Sequence, residues 1–133
     1  MKEKALLSLA VLAGGALGAV CRVEGNGAIM AAMGGHFPLG ILCINMVGAF
    51  AMGLLMGFVS RMTENCGKWM SAFLGTGFLG GFTTFSSFAL DTVDLYSQGH
   101  PFFSLLNIVL NTLLCVLLAG LGWNLASSRE EDA

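Results

Sequence analysis

The sequence predicts an all-α integral membrane protein of four transmembrane helices, the third broken near its middle. Three observations carry this. Hydrophobic residues make up 56% of the 133 positions and charged residues only 11%, where soluble domains carry about 25% charge. Four uncharged stretches, 5–21, 37–60, 69–90 and 101–128, each approach or exceed the roughly 17–25 residues that a spanning helix needs. The third of them runs into the segment "GGFTTFSSF" at 80–88, which combines poor helix formers with hydroxyls at membrane depth. The expected organisation is one four-helix domain over 1–133, with helices at about 5–23, 37–60, 69–96 (broken at 80–84) and 101–125.

The first helix is the shortest apolar run. Its Lys2, Lys4 and following Leu, Ala and Val residues are similar to a secretory signal peptide. The run ends at Arg22 without a convincing cleavage site, so an intact helix is expected. The linker 22–36 is rich in Gly and Ala and compatible with partial helix. Gly14 and Gly18, Gly53 and Gly57, and Gly77 and Gly81 form a GxxxG pair in each of the first three spans. Small residues at that spacing let helix backbones approach.

The polar content of the spans is neutral. Asn45 lies in the second helix, Thr76, Thr83, Thr84, Ser86 and Ser87 in the third, and Asn107, Asn111 and Thr112 in the fourth. Asn107, Asn111 and Cys115 recur every four residues, making one stripe. Such amides either glue helices together or line a polar pathway. None of the four uncharged stretches holds the carboxylate that a proton-driven or cation transporter needs. Asp91 and Asp94 follow the third stretch and are expected at the interface. His36 and His100 sit at loop edges, and no Ser/His/Asp set, metal cluster or phosphate loop is present, so the chain does not read as an enzyme. The four cysteines, Cys21, Cys43, Cys66 and Cys115, lack zinc spacing and are expected to be buried thiols. A net charge of −2 gives no basic footprint for nucleic acid, and the acidic end "REEDA" reads as solvated. Lys2, Lys4, Arg61, Lys68 and Arg129 share the side of the termini, against Arg22 alone on the other. The positive-inside rule then puts both termini in the cytoplasm.

At the third helix, Gly80 and Gly81 followed by Phe82, Thr83 and Thr84 disfavour continuous helix. A break frees carbonyl oxygens, which must meet a cation, water or side-chain donors; oxygens of this kind suit a small hard cation. The Thr83 and Thr84 hydroxyls are alternative partners. Phe85 and Phe88 are three apart and share a face. Their ring edges are electropositive, although such a pair also serves ordinary packing.

With "GGALGAVCR" at 14–22, "LGILCINMVGAFAMG" at 39–53, "GGFTTFSSF" at 80–88 and, more loosely, "QGHPFFSLL" at 98–106, the chain resembles the Fluc (CrcB-type) fluoride channels of bacteria. The resemblance implies a multi-pass protein of the bacterial inner membrane, assembling as an antiparallel dimer with two fluoride pathways at the subunit interface. It further implies that Asn45 donates to fluoride, that Phe85 and Phe88 face the ion edge-on, and that Thr84, Ser86 and Ser87 line the path. The Gly80 and Thr83 carbonyls of both subunits would hold one central structural Na+, and Arg22 would flank an aqueous vestibule. Three departures stand out. Asn111 and Cys115 occupy positions where the family often has Tyr or His followed by Ser, Val23 replaces a common aromatic, and Phe82 replaces an aliphatic residue. The Lys/Arg asymmetry admits either an antiparallel homodimer or a heterodimer with an oppositely oriented sister chain. The expected function is passive, fluoride-selective export conferring fluoride resistance. Its rivals are a small dual-topology multidrug-type exporter, which normally needs a glutamate that residues 5–21 lack, and a non-transporting assembly subunit.

Overall fold

The computed structural model describes residues 1–127; Arg129 and the acidic end lie outside the described residues. Helix α1 runs over Lys2–Met33, α2 over Leu39–Val59, and α3 is a composite of Glu64–Met70, a π-helical stretch Ser71–Leu79 and a last turn Gly80–Phe82. Helix α4 spans Phe85–Ser97 and α5 Pro101–Ser127. Lys2–Met33, Leu39–Val59, Glu64–Ser97 and Pro101–Ser127 are long and apolar enough to cross a membrane, so the protein is a multi-pass membrane protein.

The first helix is longer than expected. It continues through Arg22 and Glu24 to Met33, because a charged pair ends an apolar run without ending a helix. The stop comes at Gly34 (φ 62°), whose N–H bonds back to the Met30 carbonyl at 3.0 Å. Positive φ at that position costs glycine least. At 32 residues α1 is about 48 Å long, well over the roughly 30 Å hydrocarbon thickness. The α4–α5 turn closes in the same way at Gly99 (φ 82°), with Pro101 opening α5.

Helix α1 packs on α3, and α2 packs on α5, with α4 also lying against α5. The three glycine pairs sit at these crossings. A Cβ on Gly14 or Gly18 would strike the backbone of Phe73, Phe78 or Phe82, and one on Gly53 would strike the Ala119 carbonyl. Gly77 and Gly81 face Val11 and Gly15 of α1 in return. The π-helical stretch is not foreseen from the sequence. It contains Gly77, where α1 and α3 meet backbone to backbone, and Gly75, which faces the Met52, Leu55 and Met56 side chains of α2.

The interior is small and partly polar. Ile41, Leu42, Ile44, Leu55, Leu79, Leu95 and Ala126 are buried, as are Thr84, Ser104, Asn107 and Asn111. Much apolar surface, including Leu9, Leu12, Leu117 and Leu121, is exposed, as expected where lipid is the solvent. The four cysteines are free, and the expectation of burial fails: Cys21 and Cys66 are exposed, Cys43 and Cys115 half-buried. Asp91, expected at the interface, lies inside α4, and its Oδ2 is shielded from solvent without a hydrogen bond among the described residues.

At the end that holds residue 3 and the close of α5, Lys68 pairs with Glu3 at 2.6 Å, and Arg61 donates to the Ser127 carbonyl. The two termini-side elements and the α2–α3 loop therefore gather at one end.

Candidate functional site

Helical geometry does not fail where the glycines would suggest. Gly80 and Gly81 remain helical, and Gly81 serves instead as the close contact to Gly15. The chain turns extended at Thr83 (φ −81°, ψ 157°) and Thr84 (φ −151°, ψ 123°), and α4 begins at Phe85. Two threonines thus separate the helical segments of the third span.

Both hydroxyls answer part of the backbone demand this creates. Thr83 Oγ1 donates to the Leu79 carbonyl at 2.9 Å, as does the Thr83 N–H. Thr84 Oγ1 caps α4 by accepting the Ser87 N–H at 3.2 Å, and the Ser86 and Ser87 hydroxyls gather on the same oxygen at 3.1 and 3.3 Å. From α2, Asn45 closes on Thr84 from the other side. Its Oδ1 accepts the Thr84 N–H at 2.9 Å, and its Nδ2 donates to the Thr84 carbonyl at 3.1 Å. The second Nδ2 hydrogen goes to Asn111 Oδ1 at 3.0 Å. Both amide hydrogens of Asn45 are engaged within the chain.

The amide chain continues through α5. Asn111 Nδ2 donates to Asn107 Oδ1 at 2.9 Å, and Asn107 Nδ2 to Thr92 Oγ1 at 2.9 Å. Thr92 Oγ1 in turn donates to the Phe88 carbonyl at 2.8 Å, and Ser104 Oγ to the Thr92 carbonyl at 2.8 Å. Asn107 is completely buried and joins α5 to α4. Of the predicted stripe, Asn107 is glue, while Asn111 and Cys115 face a groove.

That groove has a volume of about 480 Å3 and is lined by Asn45, Thr83, Thr84, Phe85, Phe88, Asn111 and Cys115, all expected at the site. Thr112 and Met52 line it too and were not expected there; Thr112 was visible only as a neighbour of Asn111. Thr92 and Ser104 were also missed, because single hydroxyls on a helix carry no periodic signal. Phe85 and Phe88 meet edge to face, ring centroids 5.4 Å apart at 60°, with Phe85 79% exposed in the single chain. Gly80, Ser86, Ser87 and Arg22 do not line the groove. Arg22 reaches the interruption from α1, its Nη1 3.3 Å from the Thr83 carbonyl oxygen. Phe82, the bulky departure, stacks on Phe78 at 6.0 Å.

These features define a small multi-pass membrane protein whose groove is lined by neutral hydrogen-bonding groups and aromatic edges. A family model described as "CrcB-like protein, Camphor Resistance (CrcB)" matches residues 9–123. The protein named "Fluoride-specific ion channel FluC" of Aeromonas salmonicida (strain A449) is 43% identical over 123 residues, covering 91% of this chain and 96% of the relative. Those of the same name from Pseudoalteromonas translucida (strain TAC 125) and Coxiella burnetii (strain CbuK_Q154) are 38% and 40% identical, over 87% and 86% of this chain and 96% and 92% of theirs. The chain belongs to the CrcB family.

Proposed function

We propose that the chain is the subunit of a passive fluoride-selective channel that lets F− leave the cytoplasm across a bacterial inner membrane. The observation that carries this is the groove itself: hydroxyls and two edge-to-face phenylalanines, with no charged side chain among its lining residues. The names of the relatives, fluoride-specific ion channels, point the same way.

Fluoride is small and strongly hydrated, and a pore must return what water gave. The electropositive ring edges of Phe85 and Phe88, with the Thr84 hydroxyl and the Asn45 and Asn111 amides that line the groove beside them, supply partial positive charge without a full cation to trap the ion; Ser86 and Ser87 act through Thr84. Several weak sites in series allow exit as well as entry. Chloride is refused by width. Arg22, close to the interruption, raises the local anion potential. Nothing here calls for enzymatic chemistry.

The groove and the exposed Phe85 need a second wall, which an antiparallel partner provides, either another copy or an oppositely oriented sister chain. The donor set also fits the Na+ that the family likeness implies. The Thr84 N–H, which an unbroken helix would bring to the Gly80 carbonyl, is held by Asn45 Oδ1; the Thr83 carbonyl accepts from the Arg22 guanidinium, which would have to swing aside for the ion. Gly80 and Thr83 of two subunits would hold the ion. Bound there, Na+ would supply fixed positive charge that ties the two copies together.

Purified protein in liposomes should release fluoride to an external fluoride electrode. Phe85→Ile or Phe88→Ile should slow that release by about fivefold, the loss of an aromatic contact worth roughly 1 kcal/mol, while the dimer persists. A folded dimer without fluoride efflux overturns the proposal; unchanged efflux in both variants overturns the role of the rings.

A further inference from the structure

We infer that His36 and His100 form a surface site for a divalent transition-metal ion, Zn2+, Ni2+ or Cu2+, which clasps the α1–α2 turn to the α4–α5 turn. The two rings come from opposite halves of the chain and meet with centroids 5.9 Å apart and planes tilted by 33°. Neither imidazole makes a hydrogen bond or ion pair among the described residues, so the ring nitrogens are open to a metal. The spacing suits a shared ion. With metal–nitrogen bonds of about 2.0–2.1 Å, two imidazoles on one ion have centroids from roughly 5.2 Å apart at the tetrahedral angle to roughly 6.4 Å in line. The observed separation falls between. Rotation of the rings about their side-chain bonds is enough to aim one nitrogen of each at the ion, and His36 is exposed, with room to turn.

Both backbones are held in place before any ion arrives. The chain folds back at Gly99 (φ 82°); the His100 N–H donates to the Leu95 carbonyl at 2.9 Å, and the His100 carbonyl accepts the Ser104 N–H at 3.0 Å. Across from it, the Leu39 N–H returns to the Phe37 carbonyl at 2.8 Å just after His36. Phe103 joins the two turns, edge-on to Phe37 at 6.2 Å and tilted against His100 at 6.0 Å. Two ligands that are adjacent beforehand leave less ordering to be done on binding. Residues 34–38 and 98–100 include no Lys, Arg, Asp or Glu, so neither turn brings a cation that repels the metal or a carboxylate that competes for the imidazoles. No third His, Cys, Asp or Glu joins the pair among the described residues. Water therefore completes the coordination shell, which makes the site open and exchangeable. Imidazole ligands favour Zn2+, Ni2+ and Cu2+, whereas Mg2+ and Ca2+ favour oxygen.

The site stands independently of what passes the groove. Zn2+ binding is measured by equilibrium dialysis on the intact, tag-free protein in excess Mg2+. Cys21 and Cys66, the exposed thiols, are replaced by Ser in this parent so that they do not take the metal. The parent should bind one Zn2+ per chain, and Cu2+, which nitrogen sites hold more tightly, should displace it. His36→Phe and His100→Phe keep a ring for stacking and remove the nitrogens, which separates a metal site from an aromatic contact. Each should weaken Zn2+ binding by about tenfold or more, since losing even a supporting partner of a ligand costs about 10–100-fold. Zn2+ should raise the thermal midpoint of the parent and leave that of both variants unmoved, because only an ion bound to the folded state stabilises it. A parent that binds no Zn2+ overturns the inference, as does undiminished binding in either Phe variant. Should His100→Phe fail to fold, His100→Ala decides: Zn2+ held there as tightly as in the parent overturns the site.

Discussion

Thr84 illustrates what a single residue does here and how much of it the sequence disclosed. Its backbone is held by Asn45, its side chain caps α4 through the Ser87 N–H, and it is buried. A hydroxyl ahead of a new helical run is the standard N-terminal cap, a role not foreseen for Thr84. The role of threonine hydroxyls in satisfying freed backbone was legible. Asn45 as their tertiary partner was not legible, because a contact between α2 and the third span leaves no local pattern. Thr84→Val removes the cap and keeps the shape. It should lower stability by about 1 kcal/mol, seen as a lower thermal midpoint of the purified protein, and Thr84→Ser should restore most of it. A Val variant as stable as wild type would mean that the Ser87 N–H finds another acceptor.

Among the elements, the glycines divide into those that meet a neighbour and those that do not. The GxxxG spacings correctly marked the α1–α3 and α2–α5 crossings, because close backbone approach is the general way membrane helices gain contact. The same rule did not reveal that α1 runs to Met33 or that Ser71–Leu79 is π-helical. Helix length past the last apolar residue depends on where the next positive-φ glycine falls, and helix winding depends on the partner's surface. Helix α5 offers an internal comparison. A Cβ on Gly122 would strike the Phe50 carbonyl and the Leu54 N–H of α2, whereas Gly120, two residues earlier, has nothing within 4 Å. Gly122→Ala should therefore cost about 1–3 kcal/mol through overpacking. Gly120→Ala should gain up to about 1 kcal/mol in helix propensity. Thermal midpoints of the two variants moving in the same direction would show that the crossing does not govern α5.

For the molecule as a whole, four spans were readable because lipid makes hydropathy decisive, but orientation depends on where charges end up in space. The structure sharpens the asymmetry. Arg61 and Lys68 lie at the end shared with Glu3 and Ser127, whereas Arg22 is drawn onto the Thr83 carbonyl at the interruption instead of standing in a loop. The turns at the other end, 34–38 and 98–100, contain no Lys or Arg. The positive-inside rule weighs Lys and Arg near the spans and gives acidic residues little influence, so the Lys68–Glu3 pair does not cancel the bias. An antiparallel pair of identical chains then requires half the copies to insert against the rule, and the disfavoured orientation limits how many pairs form. Exposed Cys66 at the start of α3 reports orientation directly. In intact cells a membrane-impermeant maleimide should label well under half of the copies, with Cys66→Ser as the blank. Replacing Arg61 and Lys68 together by Gln removes two charges from that end and should raise the labelled share towards half. On the proposed antiparallel pairing, in which each pathway takes one copy of each orientation, fluoride efflux from those cells per unit of protein should rise with it. A labelled share indifferent to both substitutions would show that charge does not set the insertion of this chain.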